Sequence, residues 1–274
     1  MNLSRIIERH AQFSPHALAV HWKGQDIGYP QLWHGIEDAT AALLRSGVRP
    51  GDRVAWLGLN DPRMLVLLFA LARIGAMLLP LNYRLAPAEH RQILSHAAAA
   101  WLFADEHHAD AVAALAEIEG CRQLPMSVLQ PSAAGAGAPL DSVLLQGDDA
   151  APVLLVYTSG TSGKPKGAVH TQAALLWNCV NATHAQDLCA GDQVLTVLPL
   201  FHVGGLCIQT LPALHAGAMV TLHPRFEPGA WLRDVAVRRP TLTVMVPATL
   251  RAAAAHPDWA ATDLRALRLL VVGS

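Results

Sequence analysis

Tyr157-Thr-Ser-Gly-Thr-Ser-Gly-Lys-Pro-Lys-Gly167 is the stretch on which the reading of this chain turns. The ten positions after Tyr157 hold three glycines, four hydroxyl side chains and two lysines. Glycines let a backbone turn and approach a ligand closely. Hydroxyls and backbone N–H groups donate hydrogen bonds to phosphate oxygens, and lysines add positive charge. That is the make-up of a polyphosphate-binding loop. A Gly/Ser/Thr run also suits a flexible surface linker. Here, however, the apolar Val153-Leu-Leu-Val-Tyr157 precedes it and Ala168-Val169 follow it directly. A linker seldom sits between two buried strands.

The spacing excludes two common phosphate motifs. The Walker A pattern places Gly, four residues, then Gly-Lys-Ser/Thr. Here Pro165 follows Gly163-Lys164, and Thr158 stands where the first glycine is needed. A P-loop nucleoside triphosphatase is therefore disfavoured. The Rossmann pattern Gly-x-Gly-x-x-Gly also fails, because Gly160, Gly163 and Gly167 are spaced by three and four. Pro165 disfavours α geometry at Lys164, so no helix opens right after Gly163. The segment reads as strand, loop, short strand, with a helix Gln172–Ala182 beginning only after Thr171 as its N-cap.

Outward from the loop, strands and helices alternate. The first half reads as helix Leu3–Gln12, a hairpin-like pair Ala19–Trp22 and Asp26–Gly28, and amphipathic helix Gln31–Ser46 closed by Gly47. Then come strand Arg53–Leu57, a helix from Pro62 to Ile74, strand Ala76–Leu79, helix Pro87–Ala97, strand Trp101–Ala104, helix His107–Glu117 and a short strand Ser127–Leu129. Gln130–Asp141, rich in Pro, Ala and Gly, reads as a mobile connection. The second half reads as strand Val153–Thr158, the loop, strand Gln193–Val197, helix Gly205–Leu214, strand Met219–Leu222 and helix Gly229–Arg238. Strand Leu242–Val246, helix Ala248–Ala255 and strand Leu269–Val272 complete it. Near-continuous Val/Leu/Ile strands alternating with helices predict an α/β fold of stacked, mostly parallel sheets flanked by helices. The expected organisation is a first α/β part over 1–129, a connection over 130–141, and a second α/β part over 142–274 carrying the loop.

Composition limits the function classes. The chain has 274 residues, 52% of them hydrophobic and 15% charged, which supplies a substantial core and excludes a disordered composition. The formal net charge of −1 does not indicate nucleic acid or anionic membranes as partners. The four cysteines, Cys121, Cys179, Cys189 and Cys207, form no CxxC and no zinc spacing. Free thiols in a reducing, cytoplasmic compartment fit them best. The fourteen histidines are scattered singly apart from His107-His108. Met1–Pro15 is polar and charged and does not read as a signal peptide. Met64–Leu81 is almost wholly apolar, yet Arg73, Gly75 and Pro80 interrupt it, so it reads as a buried helix and strand rather than a membrane span.

The loop Tyr157–Gly167 resembles the signature loop of the adenylate-forming (AMP-binding) enzymes: acyl-CoA synthetases, adenylation domains of peptide synthetases, and luciferases. Tyr29-Pro-Gln-Leu32, Gly51-Asp-Arg-Val-Ala55, Pro80-Leu-Asn-Tyr-Arg-Leu85, Leu198-Pro-Leu-Phe-His-Val-Gly-Gly205 and Leu269-Leu-Val-Val-Gly-Ser274 resemble further family landmarks, in family order. The resemblance implies two stacked α/β subdomains and ATP-dependent activation of a carboxylic acid, followed by thioester formation with coenzyme A. Thr158, Ser159, Gly160, Thr161, Ser162, Gly163, Lys164 and Lys166 would then line the ATP phosphates. Thr161 would contact Mg²⁺ and Lys166 would lie on the phosphates. His202 is the candidate catalytic residue, bordering the acyl carboxylate, with Gly204 and Gly205 making room for the acyl chain and the neighbours of Pro247 lining its tunnel. A fatty or aryl acid is the expected partner, and a homodimer is allowed.

Other residues receive plainer readings. Tyr157 reads as a strand-end packing residue, Asn82 and Arg84 as orienting the connection after their strand, and Trp177 and Trp231 as core. A peptide-synthetase adenylation domain would place its amino-acid-anchoring Asp soon after Phe201-His202, and near there only Asp234 is found, on a charged helix with Arg233, Arg238 and Arg239; this favours the acyl-CoA synthetase type and keeps the peptide-synthetase type as an alternative. The sequence stops at Ser274, where the family strand enters the adenine loop. The resemblance therefore implies that the Thr-Glu pair near metal and base, the ribose-binding Asp, the hinge and the small C-terminal domain with its catalytic Lys are absent. The expectation is a truncated chain, inactive alone. A non-catalytic nucleotide-binding remnant, or a fragment that needs a partner, is the alternative.

Overall fold

The computed structural model describes residues 2–108, 115, 120–130, 147–158 and 165–273. In chain order the first elements are α1 (Arg5–Phe13), β1 (Leu18–Trp22), β2 (Gln25–Gly28), α2 (Tyr29–Ser46), β3 (Arg53–Leu57), α3 (Pro62–Ile74), β4 (Met77–Leu81), α4 (Pro87–His96), β5 (Trp101–Ala104) and β6 (Arg122–Gln123). They are followed by β7 (Pro152–Thr158), β8 (Lys166–Thr171), α5 (Gln172–Gln186), β9 (Gln193–Thr196), α6 (Val203–Gly205), a π-helical turn (Leu206–Thr210) and α7 (Leu211–Ala216). Last come β10 (Met219–Leu222), α8 (Pro228–Arg238), β11 (Leu242–Met245), α9 (Pro247–Ala254) and β12 (Leu269–Val272).

The chain divides into two compact units. One comprises Met1–Glu8, Pro30–Leu59 and Arg63–Leu176, and contains a six-stranded sheet in the order β6-β5-β3-β4-β7-β8. Its strands are parallel except for β8, which runs antiparallel to β7. α3 is apolar all round and is buried accordingly: from Met64 to Ala72 no residue is more than 7% exposed. Gly75 ends this helix. Its φ of +85° is left-handed backbone that glycine adopts without strain, and it lets Ala76 N–H reach Leu71 O at 3.0 Å. Arg73, the charge inside the apolar run, stacks over the Trp33 ring at 4.8 Å. Among the described residues no helix is long and apolar enough to cross a membrane.

The other unit comprises Arg9–Tyr29, Asn60–Pro62 and Trp177–Ser274, with a six-stranded sheet ordered β12-β11-β9-β10-β1-β2. It too is parallel apart from one antiparallel ribbon, β1–β2. Leu195, Val197, Trp231, Leu232, Val235, Met245 and Ala253 form a core under α8 and α9. These two mixed sheets with flanking helices are the α/β fold the alternation predicts, and most boundaries agree within two residues.

Three local expectations are overturned. Ser127–Leu129 is not a strand: Met126–Leu129 is a 3₁₀ turn entered from Pro125. Val128 N–H bonds Pro125 O at 3.1 Å and Gln130 N–H bonds Ser127 O at 3.2 Å, so this backbone satisfies itself locally. The helix expected over Gly205–Leu214 is interrupted by the π turn Leu206–Thr210. Trp177 is not core but 66% exposed, whereas Trp231 is fully buried. The helix expected over His107–Glu117 lies outside the described residues beyond the 3₁₀ turn Glu106–His108, apart from Leu115, and the connection Gln130–Asp141 lies outside them apart from Gln130.

Candidate functional site

The strands on either side of the expected phosphate loop, β7 and β8, pair antiparallel. In the β7–β8 ladder Tyr157 faces Gly167 and Thr158 faces Lys166. Ser159, Gly160, Thr161, Ser162, Gly163 and Lys164 lie outside the described residues. Thr158 and Lys166 form the last pair of the ladder before that stretch, and both are exposed. Directly opposed strand residues have Cβ atoms roughly 5 Å apart. Thr158 and Lys166 thus sit opposite each other at the last described pair of the ladder, one bringing a hydroxyl and the other an amine to that end. Pro165 immediately precedes β8, and no helix opens there. Helix α5 begins later, where Thr171 Oγ1 accepts from Ala174 N–H at 3.2 Å. Gln172, fully buried, donates to Ala72 O at 2.8 Å and accepts from Leu3 N–H at 2.6 Å, anchoring the start of α5.

His202 belongs to the second unit, on the connection that leaves β9. Buried Asn60 shapes this connection. Its Nδ2 donates to Leu198 O at 3.0 Å and His223 O at 2.9 Å, and its Oδ1 accepts from Leu200 N–H at 2.7 Å. His202 is exposed and caps α6, its Nδ1 accepting from Gly204 N–H at 3.0 Å. With Nδ1 used as an acceptor, the neutral ring carries its proton on Nε2. His202 therefore presents an N–H donor, the polarity that suits a carboxylate or acyl oxygen. Gly204 and Gly205 are buried. At Gly205 the backbone itself demands glycine, since a Cβ would lie 2.2 Å from Pro199 O. The π turn that follows is pinned by Thr210 Oγ1, which donates to Gly205 O at 2.6 Å and lies 2.9 Å from Thr196 Oγ1. π turns are frequent at functional sites.

The remaining candidates resolve plainly. Asn82 Oδ1 accepts from Arg84 N–H at 3.0 Å, and Asn82 O lies 2.8 Å from His90 Nε2, so this turn orients the chain after β4. Pro247 occupies the first turn of α9. Asp234 Oδ2 lies 2.6 Å from His223 Nε2. Burial would raise the Asp234 carboxyl, but that bond and the nearby positive charges hold it below its ordinary range. Asp234 is thus engaged by a histidine. Among the described residues no group of three or more His, Cys, Asp or Glu could hold a metal ion. Sequence reasoning missed Asn60 and the His96–Tyr157 pair, because each bridges segments 61 or more residues apart.

A family model described as AMP-binding enzyme matches residues 7–274. Indoleacetate–CoA ligase of Aromatoleum aromaticum is 42% identical over 290 residues, covering 100% of this chain and 55% of that protein. Feruloyl-CoA synthase of Amycolatopsis sp is 42% identical over 265 residues, covering 97% of this chain and 52% of that protein. Among solved structures, the inhibitor-bound N-terminal domain of FACL13 from Mycobacterium tuberculosis superposes with a TM-score of 0.90 at 25% identity, over 100% of this chain and 70% of that one. The chain spans about half the length of the curated relatives it matches.

Proposed function

The chain belongs to the AMP-binding enzyme family, and from that premise we propose that the whole protein activates a carboxylic acid with ATP and passes the acyl group to coenzyme A. In the first step a carboxylate oxygen attacks the α-phosphorus of ATP; the acyl-adenylate forms and pyrophosphate leaves. In the second the coenzyme A thiolate attacks the acyl carbon, and AMP leaves with the carboxyl oxygen. The first step requires positioning and charge neutralisation more than a protein nucleophile. The Thr158–Lys166 pair at the loop mouth is the observation that carries this reading. Lys166 supplies positive charge to the phosphates and Thr158 a hydroxyl donor. Ser159, Gly160, Thr161, Ser162, Gly163 and Lys164 complete the phosphate grip in this proposal. Mg²⁺ at Thr161 would supply further charge neutralisation.

His202 is assigned to the acyl side. Its Nε2–H orients the carboxylate, and Gly204 and Gly205 belong to the wall of the acyl pocket. An aryl acid is the favoured substrate, because the 42%-identical relatives are named for indoleacetate and ferulate; a fatty acid is the second choice. Adenylation for peptide synthesis is less well supported, since Asp234 is held by His223. The four cysteines are free thiols, which supports a cytoplasmic location. A homodimer is part of the proposal and is checked by sedimentation. Acid-dependent exchange of labelled pyrophosphate into ATP tests the chemistry. Exchange that appears only when an aryl or fatty acid is added supports it. ATP hydrolysis without any acid, and no exchange, would overturn it.

A further inference from the structure

Beside the loop mouth lies a contact that the phosphate grip does not itself use. Tyr157 Oη is 2.6 Å from His96 Nδ1, with the two rings perpendicular and their centroids 5.8 Å apart. His96 is the last residue of α4, and Tyr157 is the last but one of β7. Burial raises the Tyr157 phenol above its ordinary range, so it keeps its proton at neutral pH, and the hydroxyl and the imidazole share one hydrogen bond whose donor follows the His96 tautomer. Across the ladder from Tyr157 stands Gly167, where a Cβ would come within 3.1 Å of the Tyr157 ring and 2.8 Å of Leu155 Cδ1. The aromatic ring therefore lies over a cross-strand glycine, an arrangement that pins strand register. Leu155 belongs to the core that also holds Ile93, Leu94 and Ala97 around the end of α4, and Tyr157 packs against it. One residue further along both strands is the Thr158–Lys166 pair. Successive strand residues point to opposite faces, so the ring braces the hairpin from the face away from that pair.

We propose that His96 is a positioning residue for the end of the β7–β8 ladder: by holding the Tyr157 hydroxyl it locks the ring over Gly167 and fixes where Thr158 and Lys166 stand. The inference rests on the loop binding ATP. Hydrogen bonding to a helix end gives the strand end an anchor that ring packing alone lacks. A ring free to swing would let the last ladder pair fray, and frayed donors must be reordered when phosphate binds. The effect belongs to nucleotide affinity and leaves the acid untouched.

The test uses the whole protein in acid-dependent pyrophosphate exchange. Tyr157→Phe keeps the ring and removes the hydroxyl; His96→Ala removes its hydrogen-bond partner; His96→Gln retains a polar group able to meet Oη. Tyr157→Phe and His96→Ala should each raise the KM for ATP by roughly three- to tenfold, the scale of one lost hydrogen bond. The KM for the acid should stay unchanged, the double variant should be no worse than either single one, and His96→Gln should recover most of the loss. An unchanged ATP KM in Tyr157→Phe, multiplying effects in the double variant, or an equal rise in acid KM would overturn the proposal. Lys166→Ala separates it from the reading beneath. If that variant loses ATP affinity and Tyr157→Phe does not, the latch fails and the loop stands. If neither changes, both fail.

Discussion

Lys166 carries the most specific expectation at the scale of single residues. It is exposed at the end of the β7–β8 ladder and faces Thr158. Lys166→Ala removes a point charge from the proposed phosphate grip without touching the core. ATP or pyrophosphate affinity should fall about tenfold or more, since hydrogen bonds to charged groups are worth roughly 1.5–3 kcal/mol. Titration of nucleotide against the folded variant reads it, and an unchanged Kd would remove the loop from the ATP site. Gly205 makes a different kind of prediction. Its Cβ would sit 2.2 Å from Pro199 O, a backbone atom that cannot swing aside. Gly205→Ala should cost about 1–3 kcal/mol. That would appear as a fall in melting temperature of very roughly 2–4 °C per kcal/mol; an unshifted melting curve would show that the connection relaxes freely. Lys166 and His202 are legible in the sequence because they stand inside long motifs. Asn60 and His96 are not, because their partners, Leu198 and Tyr157, meet them only in the folded chain.

At the scale of elements, Asp192 and Arg268 fasten the edge strand β12 to the rest of its sheet. Arg268 precedes β12, bonds both carboxylate oxygens of Asp192 at 3.0 and 2.6 Å, and donates to Gln186 O and Asp187 O at the end of α5. Thr241, just before β11, donates to Asp192 at 2.7 Å, and Cys189 N–H donates to it at 2.9 Å. Burial alone would raise the Asp192 carboxyl. The bonds from Arg268, Thr241 and Cys189 N–H outweigh it and hold the pKa at about 2, below the ordinary 3.8. A carboxyl depressed in the folded state stabilises the fold fully above the unfolded value and loses that stabilisation as pH falls through the folded one. The Asp192 contribution should therefore be intact above pH 4 and disappear between about pH 4 and 2. Allowing for solvent around Arg268, it should amount to roughly 1–2 kcal/mol. Denaturant midpoints of the native protein and Asp192→Asn should converge across that window, and a constant gap would refute the assignment.

Elements differ in how plainly the sequence announces them. α3 is legible because an all-round apolar run between Pro62 and Gly75 has few other folded forms. The π turn Leu206–Thr210 is not, since nothing in its own pattern of residues marks the extra residue per turn that buried bonds of Thr210 to Gly205 O and Thr196 Oγ1 accompany. The turn at Met126–Leu129 is not legible either, because Pro125, which enters it, equally suits the extended backbone expected over Ser127–Leu129.

For the whole molecule, the proposed activation of an acid turns on the choice of acid, and the relatives bear on that choice more than any one pocket residue does. Proteins named for indoleacetate and ferulate match at 42% identity over nearly the full chain. A flat aromatic acid and a flexible alkyl acid make different demands on a site. The first loses little conformational freedom on binding, while the second must order each rotatable bond. Pocket shape alone discriminates by roughly 10–200-fold per misfitted methylene. In pyrophosphate exchange by the whole protein, indoleacetate or ferulate should accordingly exceed a long saturated fatty acid in kcat/KM by at least about tenfold. The preference should reside mainly in the KM for acid if it arises from pocket shape felt equally before and at the transition state. It should reside in kcat if the wrong acid binds but presents its carboxylate badly to the α-phosphorus. Equal or better exchange with the fatty acid would move the proposal to its second substrate class while leaving the adenylation chemistry in place.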